Sequence, residues 1–383
     1  MEPRGRAAIL GIAAVLFLWT WQFLTVHYNY GGNWTALFRI RPGMPVPDFL
    51  KSERLYTSPG TEGYDGQVYH LIAHDPWMLR GSGDAIADAP FRYQRILVPA
   101  LAWMLALGQD RSIDPAYVAV VLGFAFLGVY WLALIATRVG RSPTWGLAFV
   151  VAPATIVSID RMTVDIALAT LTLGFAYYAG RTHFSWKILA ILTCAVLTRE
   201  TALPIVAGYS LYLLSQRRFL EALGAAATVL PAAAWFLYLS RHGTPSPALS
   251  YVDWIPLAGL AERWLHPVTY DLPTFKRVPA TVLDYVALTG ILLALIQAAR
   301  MALKRRWDAT ASAVYALAIA AIFIRSRGVW ADVNAFGRVL TPLLLLTAIQ
   351  DFGLALAPII LVDTRISLDL WSQVTGIFRG LFT

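Results

Sequence analysis

Cysteine and charge are both scarce in this chain. One cysteine, Cys194, in 383 residues excludes an intrachain disulfide and a thiolate metal cluster, so whatever folds outside a membrane does so unstapled. Charged side chains make up 14% of the sequence, against about 25% in a soluble domain. Only four of the 31 Lys and Arg residues are lysine. No basic stripe marks a nucleic-acid surface, and no Ser-x-x-Lys, Gly-x-Ser-x-Gly or phosphate-cradling glycine loop is present. His70 and His74 stand at helical i, i+4 spacing, but Leu71 occupies the place of the glutamate in H-E-x-x-H, which argues against that zinc chemistry and for partly exposed interfacial histidines.

Hydrophobic residues, at 58%, fill this space. They gather into uncharged runs at 7–26, 115–137, 142–159, 166–180, 188–198, 201–216, 222–240, 285–299 and 309–324, and into a run at 339–362 that Asp351 breaks. About 20 apolar residues in a helix cross the hydrocarbon core of a bilayer, so the expected fold is all-α and polytopic, a single membrane domain of about ten transmembrane helices. The first run is too long for a typical secretory h-region and lacks a small-x-small cleavage site, and reads as a retained anchor. Cytoplasmic loops collect Lys and Arg. Placing the N-terminus inside puts Arg4/Arg6, Arg138/Arg141, Arg181/Lys187, Arg217/Arg218 and Arg300/Lys304/Arg305/Arg306 on that side. This assignment requires 96–108 to lie as an interfacial helix and Arg199-Glu200 to divide two spans. It makes 28–114 and 241–280 extracytoplasmic loops and lays the tail, 363–383, along the inner surface.

The polar stretch "EGYDGQVYHLIAHDPW", residues 62–77, then stands out. Asp65 opens a run with helical periodicity that Pro76 ends. The helix reads as short, amphipathic and membrane-surface lying. Asp65 is either its cap or a general base whose pKa is raised by apolar surroundings. Arg92 and Arg95 precede the interfacial helix as a phosphate clamp or as headgroup anchors. Arg161, Arg199, Arg325, Arg327 and Arg338 fall at outer helix ends against the usual charge bias, calling for an anionic partner or for pairing with Asp160, Asp165, Glu200 and Asp332. Asp165 lies one turn inside the lipid zone, where an ionisable group marks function by default.

In the order "GYDGQVYHLIAHDP", "RYQRILVPALAW", "RMTVD", "LTRETAL", "FGRVLTPLL", the chain resembles the GT-C superfamily of integral-membrane glycosyltransferases, within it bacterial membrane proteins of cell-surface glycopolymer formation. The resemblance implies transfer of a sugar from a polyprenyl-phosphate donor to an acceptor hydroxyl of a glycan, lipid or protein, with inversion, at the outer face of the plasma membrane. It implies Asp65 as catalytic base. Arg92, Arg95, Arg161, Arg199 and Arg338 would hold the donor phosphate, and Asp165 would support the site. Relatives often carry adjacent acids, whereas Gly66 follows Asp65, so Glu62, Asp75 and Asp88 join Asp165 as candidates for a second acid, and no metal or other cofactor is called for. A transporter or flippase of a lipid-linked saccharide is the alternative.

Overall fold

The computed structural model describes residues 2–58, 62–180, 185–242, 254–271, 273–325, 327–350 and 352–382. Arg181, Asp351 and residues 243–253 of the expected second loop lie outside them. The regular elements of the described residues are all helical, and Ile40 and Thr57 form an isolated bridge. A long first helix, α1 (Pro3–Tyr30), leads into the polar stretch, which holds α2 (Asp65–His74), two short helices, α3 (Ser82–Ala85) and α4 (Ala89–Tyr93), and α5 (Leu97–Leu105). The bundle continues through α6 (Ile113–Arg138), α7 (Pro153–Arg161), α8 (Asp165–Ala179), α9 (Trp186–Thr198), α10 (Leu203–Ser215), α11 (Phe219–Ala227) and α12 (Leu230–Ser240). After α13 (Ala258–Leu265) come α14 (Thr274–Leu303), α15 (Ala309–Ile322), the short α16 (Arg327–Trp330), α17 (Val333–Ala348), α18 (Ala357–Asp369) and α19 (Trp371–Phe382).

Among the described residues, four helical stretches are long and apolar enough to cross a membrane: 3–30, 110–138, 219–240 and 274–303. A fifth forms if the helical pair 143–149 and 153–161, bent by 53°, counts as one broken span. Shorter apolar helices at 165–179, 186–198, 309–322 and 333–348 lie among them. Ile9, Ile12, Leu16 and Phe17 on α1, and Leu220, Leu223 and Leu230 on α11 and α12, are each more than half exposed. Apolar surface on this scale suits a hydrocarbon solvent. The sequence explains where the helices stop. Pro3 and Pro153 sit at first-turn positions that have no intrahelical N–H bond to lose, and Gly31, at φ 58°, ends α1 in the left-handed conformation. Asp308 and Asp332 accept backbone N–H bonds to cap α15 and α17.

Helix α6 runs through the centre, against α1 on one side and α8 on the other, while α8 also packs on α9 and α17. The pairs α10 with α15 and α14 with α18 close the rest. Close approach is bought by small residues: a Cβ on Gly208 would fall 2.4 Å from the Ser312 carbonyl oxygen on α15.

Three expectations change. The run 339–362 is not one span: α17 and α18 form an antiparallel hairpin, because Asp369 at the end of α18 returns to accept a bond from Asn334 at the start of α17, at 2.8 Å. The tail therefore does not share an end with the N-terminus of α1. Helix α19 packs on the far end of α1, where Asn29 donates to the Gln373 carbonyl at 3.3 Å. Nor is α2 a half-exposed surface helix, since Tyr69 through His74 are all buried beneath residues 34–38, α5 and α6. The division of α9 from α10 at Arg199-Glu200 is present, as is the separate short helix α5.

Candidate functional site

Asp65 occupies the first position of α2, after Tyr64 in extended geometry (φ −142°, ψ 172°). Its carboxylate does not cap the helix, so that alternative falls away. The start of α2 is pressed against the end of α7: a Cβ on Gly66 would come within 2.2 Å of the Arg161 carbonyl oxygen and 2.9 Å of that of Phe38. Only glycine lets the two backbones meet there, which fixes where Asp65 points.

Both carboxylate oxygens of Asp65 are taken by arginine. Arg92 of α4 donates to Oδ1 at 2.8 Å, and Arg338 of α17, 273 residues away in sequence, donates through Nη2 to Oδ2 at 2.5 Å. The second terminal nitrogen of Arg338 donates to Asp165 Oδ2 at 3.0 Å, while Arg199 donates to Asp165 Oδ1. Arg95 forks onto Glu200 at 3.0 and 2.6 Å and reaches the Tyr69 hydroxyl at 3.3 Å. Four guanidinium groups (Arg92, Arg95, Arg199, Arg338) thus face three carboxylates (Asp65, Asp165, Glu200). The cluster carries one positive charge in excess. Two of its N–H donors, Nε of Arg199 and Nε of Arg338, are buried without an acceptor, a costly arrangement unless an acceptor arrives.

The electrostatics run opposite to the expected raised pKa. Burial by itself pushes the Asp65 carboxyl up, but Arg338 foremost, with Arg92 and Arg95, holds it well below the usual carboxylate range. Glu200 behaves alike: burial raises it, and Arg95 and Arg199 bring it down to about 2. Asp65 is therefore a locked anion in this arrangement and a weak base while the arginines hold it.

A second network adjoins the first through one aromatic ring. Arg161 stands 4.5 Å and Arg338 5.0 Å from the centre of the Tyr64 ring, and the Tyr64 hydroxyl donates to Asp332 at 3.1 Å. Arg161 itself pairs with Asp160 at 3.1 Å and reaches Asp369 at 3.4 Å. Asp160 also accepts from Arg39 at 2.9 Å and from Gln373 of α19. Arg161 is thus a neighbour of the Asp65 cluster across Tyr64.

The other acids expected near Asp65 are elsewhere. Asp75, at the opposite end of α2 and about 15 Å along the helix axis, organises a turn by accepting from the backbone N–H groups of Leu79 and Arg80, each at 2.8 Å, and from the Ser82 hydroxyl at 2.6 Å. Asp88 is exposed, at φ 55° before α4, and makes no cap bond. Glu62 is exposed as well. Of the proposed second acids, Asp165 alone joins Asp65 through a shared guanidinium. Sequence reasoning missed Tyr64, Tyr69, Arg39, Asp369 and Gln373; an aromatic beside the acid was a local signal for Tyr64, and the tail carried none.

His70 and His74 are fully buried, not interfacial. They lean on Asp114 at 2.8 Å and Asp110 at 3.1 Å, on the side of α2 remote from Arg338. A cavity of about 740 Å³ opens over that side, lined by Glu53, Arg54, Gln109, Asp110, Arg111 and Asp114 among others, and not over Asp65.

Comparison with protein-family models, with curated proteins and with solved structures gives no match to this chain.

Proposed function

We propose that the protein is a membrane glycosyltransferase that moves a sugar from a polyprenyl-phosphate donor to an acceptor hydroxyl, with inversion, at the outer face of the plasma membrane. The observation that carries this reading is the cluster around Asp65: a carboxylate held by two arginines within a set of guanidinium groups that outnumbers its acids and keeps two buried N–H donors unmet. A phosphate monoester or diester oxygen is the acceptor such donors are built for.

In this reading the four long stretches, the bent pair, the four shorter apolar helices, α10 and α18 all cross the membrane, eleven spans in place of the expected ten because the run 339–362 divides into α17 and α18. An odd count leaves the N-terminus inside and carries α19 to the outer face, beside Asp65. The basic clusters at 4/6, 138/141, 217/218 and 300–306 fall at helix ends opposite those bearing Arg161, Arg199 and Arg338, in keeping with the positive-inside bias.

The chemistry follows from ion exchange. The donor phosphate enters over Arg92 and Asp65, which with Glu200 are the more exposed members, and draws Arg92 and Arg338 away from Asp65, with Arg95 and Arg199 behind them. Losing those partners raises the basicity of Asp65 where it is needed. Asp65 takes the acceptor hydroxyl proton as that oxygen attacks the anomeric carbon. The bond to the phosphate oxygen breaks, and the guanidinium groups hold the departing polyprenyl phosphate. Asp165 keeps Arg199 and Arg338 in register, and Arg161 braces the Tyr64 ring.

The test uses proteoliposomes with radiolabelled polyprenyl-phosphate sugars and a panel of acceptors. Wild type is expected to transfer label and Asp65→Asn to lose at least 100-fold while still binding the lipid. Label that crosses the bilayer without transfer supports the flippase alternative, and full transfer by Asp65→Asn removes Asp65 from the mechanism.

A further inference from the structure

Beneath the cavity of about 740 Å³, Glu53, His70 and His74 each offer a ligand atom, all within 4.8 Å of one another. Both imidazoles are fully buried. Each has one nitrogen engaged by a carboxylate: His70 Nε2 with Asp114 Oδ1 at 2.8 Å and His74 Nδ1 with Asp110 Oδ1 at 3.1 Å. In each, the other nitrogen, Nδ1 of His70 and Nε2 of His74, is buried without any hydrogen-bond partner, and His74 Nε2 stands 4.0 Å from Asp114 Oδ1, beyond hydrogen-bond reach. If the engaged nitrogens carry the protons, the free ones present lone pairs. An N–H held by a carboxylate, with the opposite nitrogen on a metal, is the arrangement that orients metal-binding histidines and raises their basicity.

We infer that Glu53, His70 and His74 form a binding site for a zinc-class divalent cation, independent of the Asp65 cluster and of the sugar-transfer reading. Charge agrees. Asp110 is already matched by Arg80, which forks onto it with two 2.8 Å bonds. With neutral imidazoles, Glu53 and Asp114 bring two negative charges to the ligand atoms themselves, which one divalent ion would meet, while Arg54 and Arg111 also line the cavity. Two nitrogens and one carboxylate oxygen are a zinc-type donor set. Ligand atoms around a tetrahedral ion lie about 3.3 Å apart, a closure that the partly exposed Glu53 side chain can supply by rotation. The cavity gives the ion a route in and a fourth ligand from solvent. Bound there, the ion ties the segment before α2 to the middle of α2, about 7.5 Å along the helix from Asp65. Its role is to position α2.

The competing state has both imidazoles protonated, as plain ion-pair partners of Asp114 and Asp110. Full-length protein in detergent, with any affinity tag removed, is stripped with a chelator, given Zn²⁺, desalted and analysed by plasma mass spectrometry. Thermal unfolding is followed with and without the metal. Wild type is expected to retain one zinc per chain and to melt higher with it; Co²⁺ in its place should show the absorption of a tetrahedral site. Glu53→Gln, at a partly exposed position, should keep the fold, weaken zinc at least tenfold and lose the thermal gain. Gln109→Ala, a cavity-lining change that removes no ligand, should retain both. Substoichiometric zinc in wild type, or zinc binding unchanged in Glu53→Gln, overturns the inference and leaves the protonated pairs.

Discussion

Replacing Arg338 by methionine keeps the length and apolar stem of the side chain and removes the one guanidinium that joins Asp65 to Asp165. Arg338 is 6% exposed and Asp165 1%, with bonds of 3.0 Å to Asp165 and 2.5 Å to Asp65. Removing one partner of a buried ion pair costs about 3–5 kcal/mol, because the other charge stays buried without compensation. Two pairs are lost here, but Asp165 keeps Arg199 and Asp65 keeps Arg92, which holds the expected loss to the scale of one pair. Equilibrium unfolding in mixed micelles should therefore shift by about 3–5 kcal/mol. Arg338→Met combined with Asp165→Leu should be less damaging than the sum of the singles, with a coupling of at least ~1.5 kcal/mol, within the range for residues in contact. The acid limb gives an independent reading. A carboxyl with a depressed folded pKa contributes stability that is complete above its unfolded value, ~3.9, and is lost as pH falls toward the folded value. Arg338 is the strongest of the charges that lower Asp65, so the variant should lose less stability than wild type between about pH 5 and pH 2. A cost under about 1 kcal/mol, typical of an exposed pair, or strict additivity in the double variant, would refute the reasoning.

Gly66→Ala should lower the melting temperature by several degrees and depress transfer, because its Cβ would meet two backbone oxygens at 2.2 and 2.9 Å. Gly123→Ala, whose Cβ meets nothing within 4 Å, should be neutral or slightly stabilising in the same melt, as alanine is the better helix former by about 1 kcal/mol. Glu62→Gln and Asp88→Asn should leave transfer within twofold, while Asp75→Asn should destabilise the turn at 75–82 in hydrogen exchange without moving the pH dependence of transfer. In a Cys194→Ala background, Phe378→Cys and Glu62→Cys should react with an impermeant maleimide from the same side of sealed vesicles; labelling from opposite sides would contradict the placement of α19.

The helical class and most helix positions were readable because apolar runs bounded by charge have few other ways to fold in lipid. The turn at 349–353 was harder to see: a single acid, Asp351, interrupts the run, and the signal to weigh was Gly353, which adopts φ 120°. The site divides the same way. Asp65 was legible from its place at the head of a short periodic stretch, Arg199 and Arg338 from their defiance of the charge bias, and Arg92 and Arg95 from their place before the interfacial helix. Their mutual pairing was not, since the bonds join residues 27 to 273 positions apart. That pairing reverses the expected direction of the Asp65 pKa. Asp75 and Asp88 stood as second acids to Asp65 because proximity in sequence was the only available measure, yet a ten-residue helix carries Asp75 to its far end. The histidines read as interfacial for want of their partners, Asp110 and Asp114, which approach from α6 and the turn before it.

The account turns on Asp65 and the donor phosphate competing for the same guanidinium groups. The most direct measurement is the affinity of purified protein for a polyprenyl monophosphate, by calorimetry or native mass spectrometry, in wild type and Asp65→Asn. Removing the resident anion should tighten binding at least tenfold while sugar transfer is lost. Equal or weaker binding by Asp65→Asn would show that the arginines around Asp65 do not receive the phosphate, and would contradict the account.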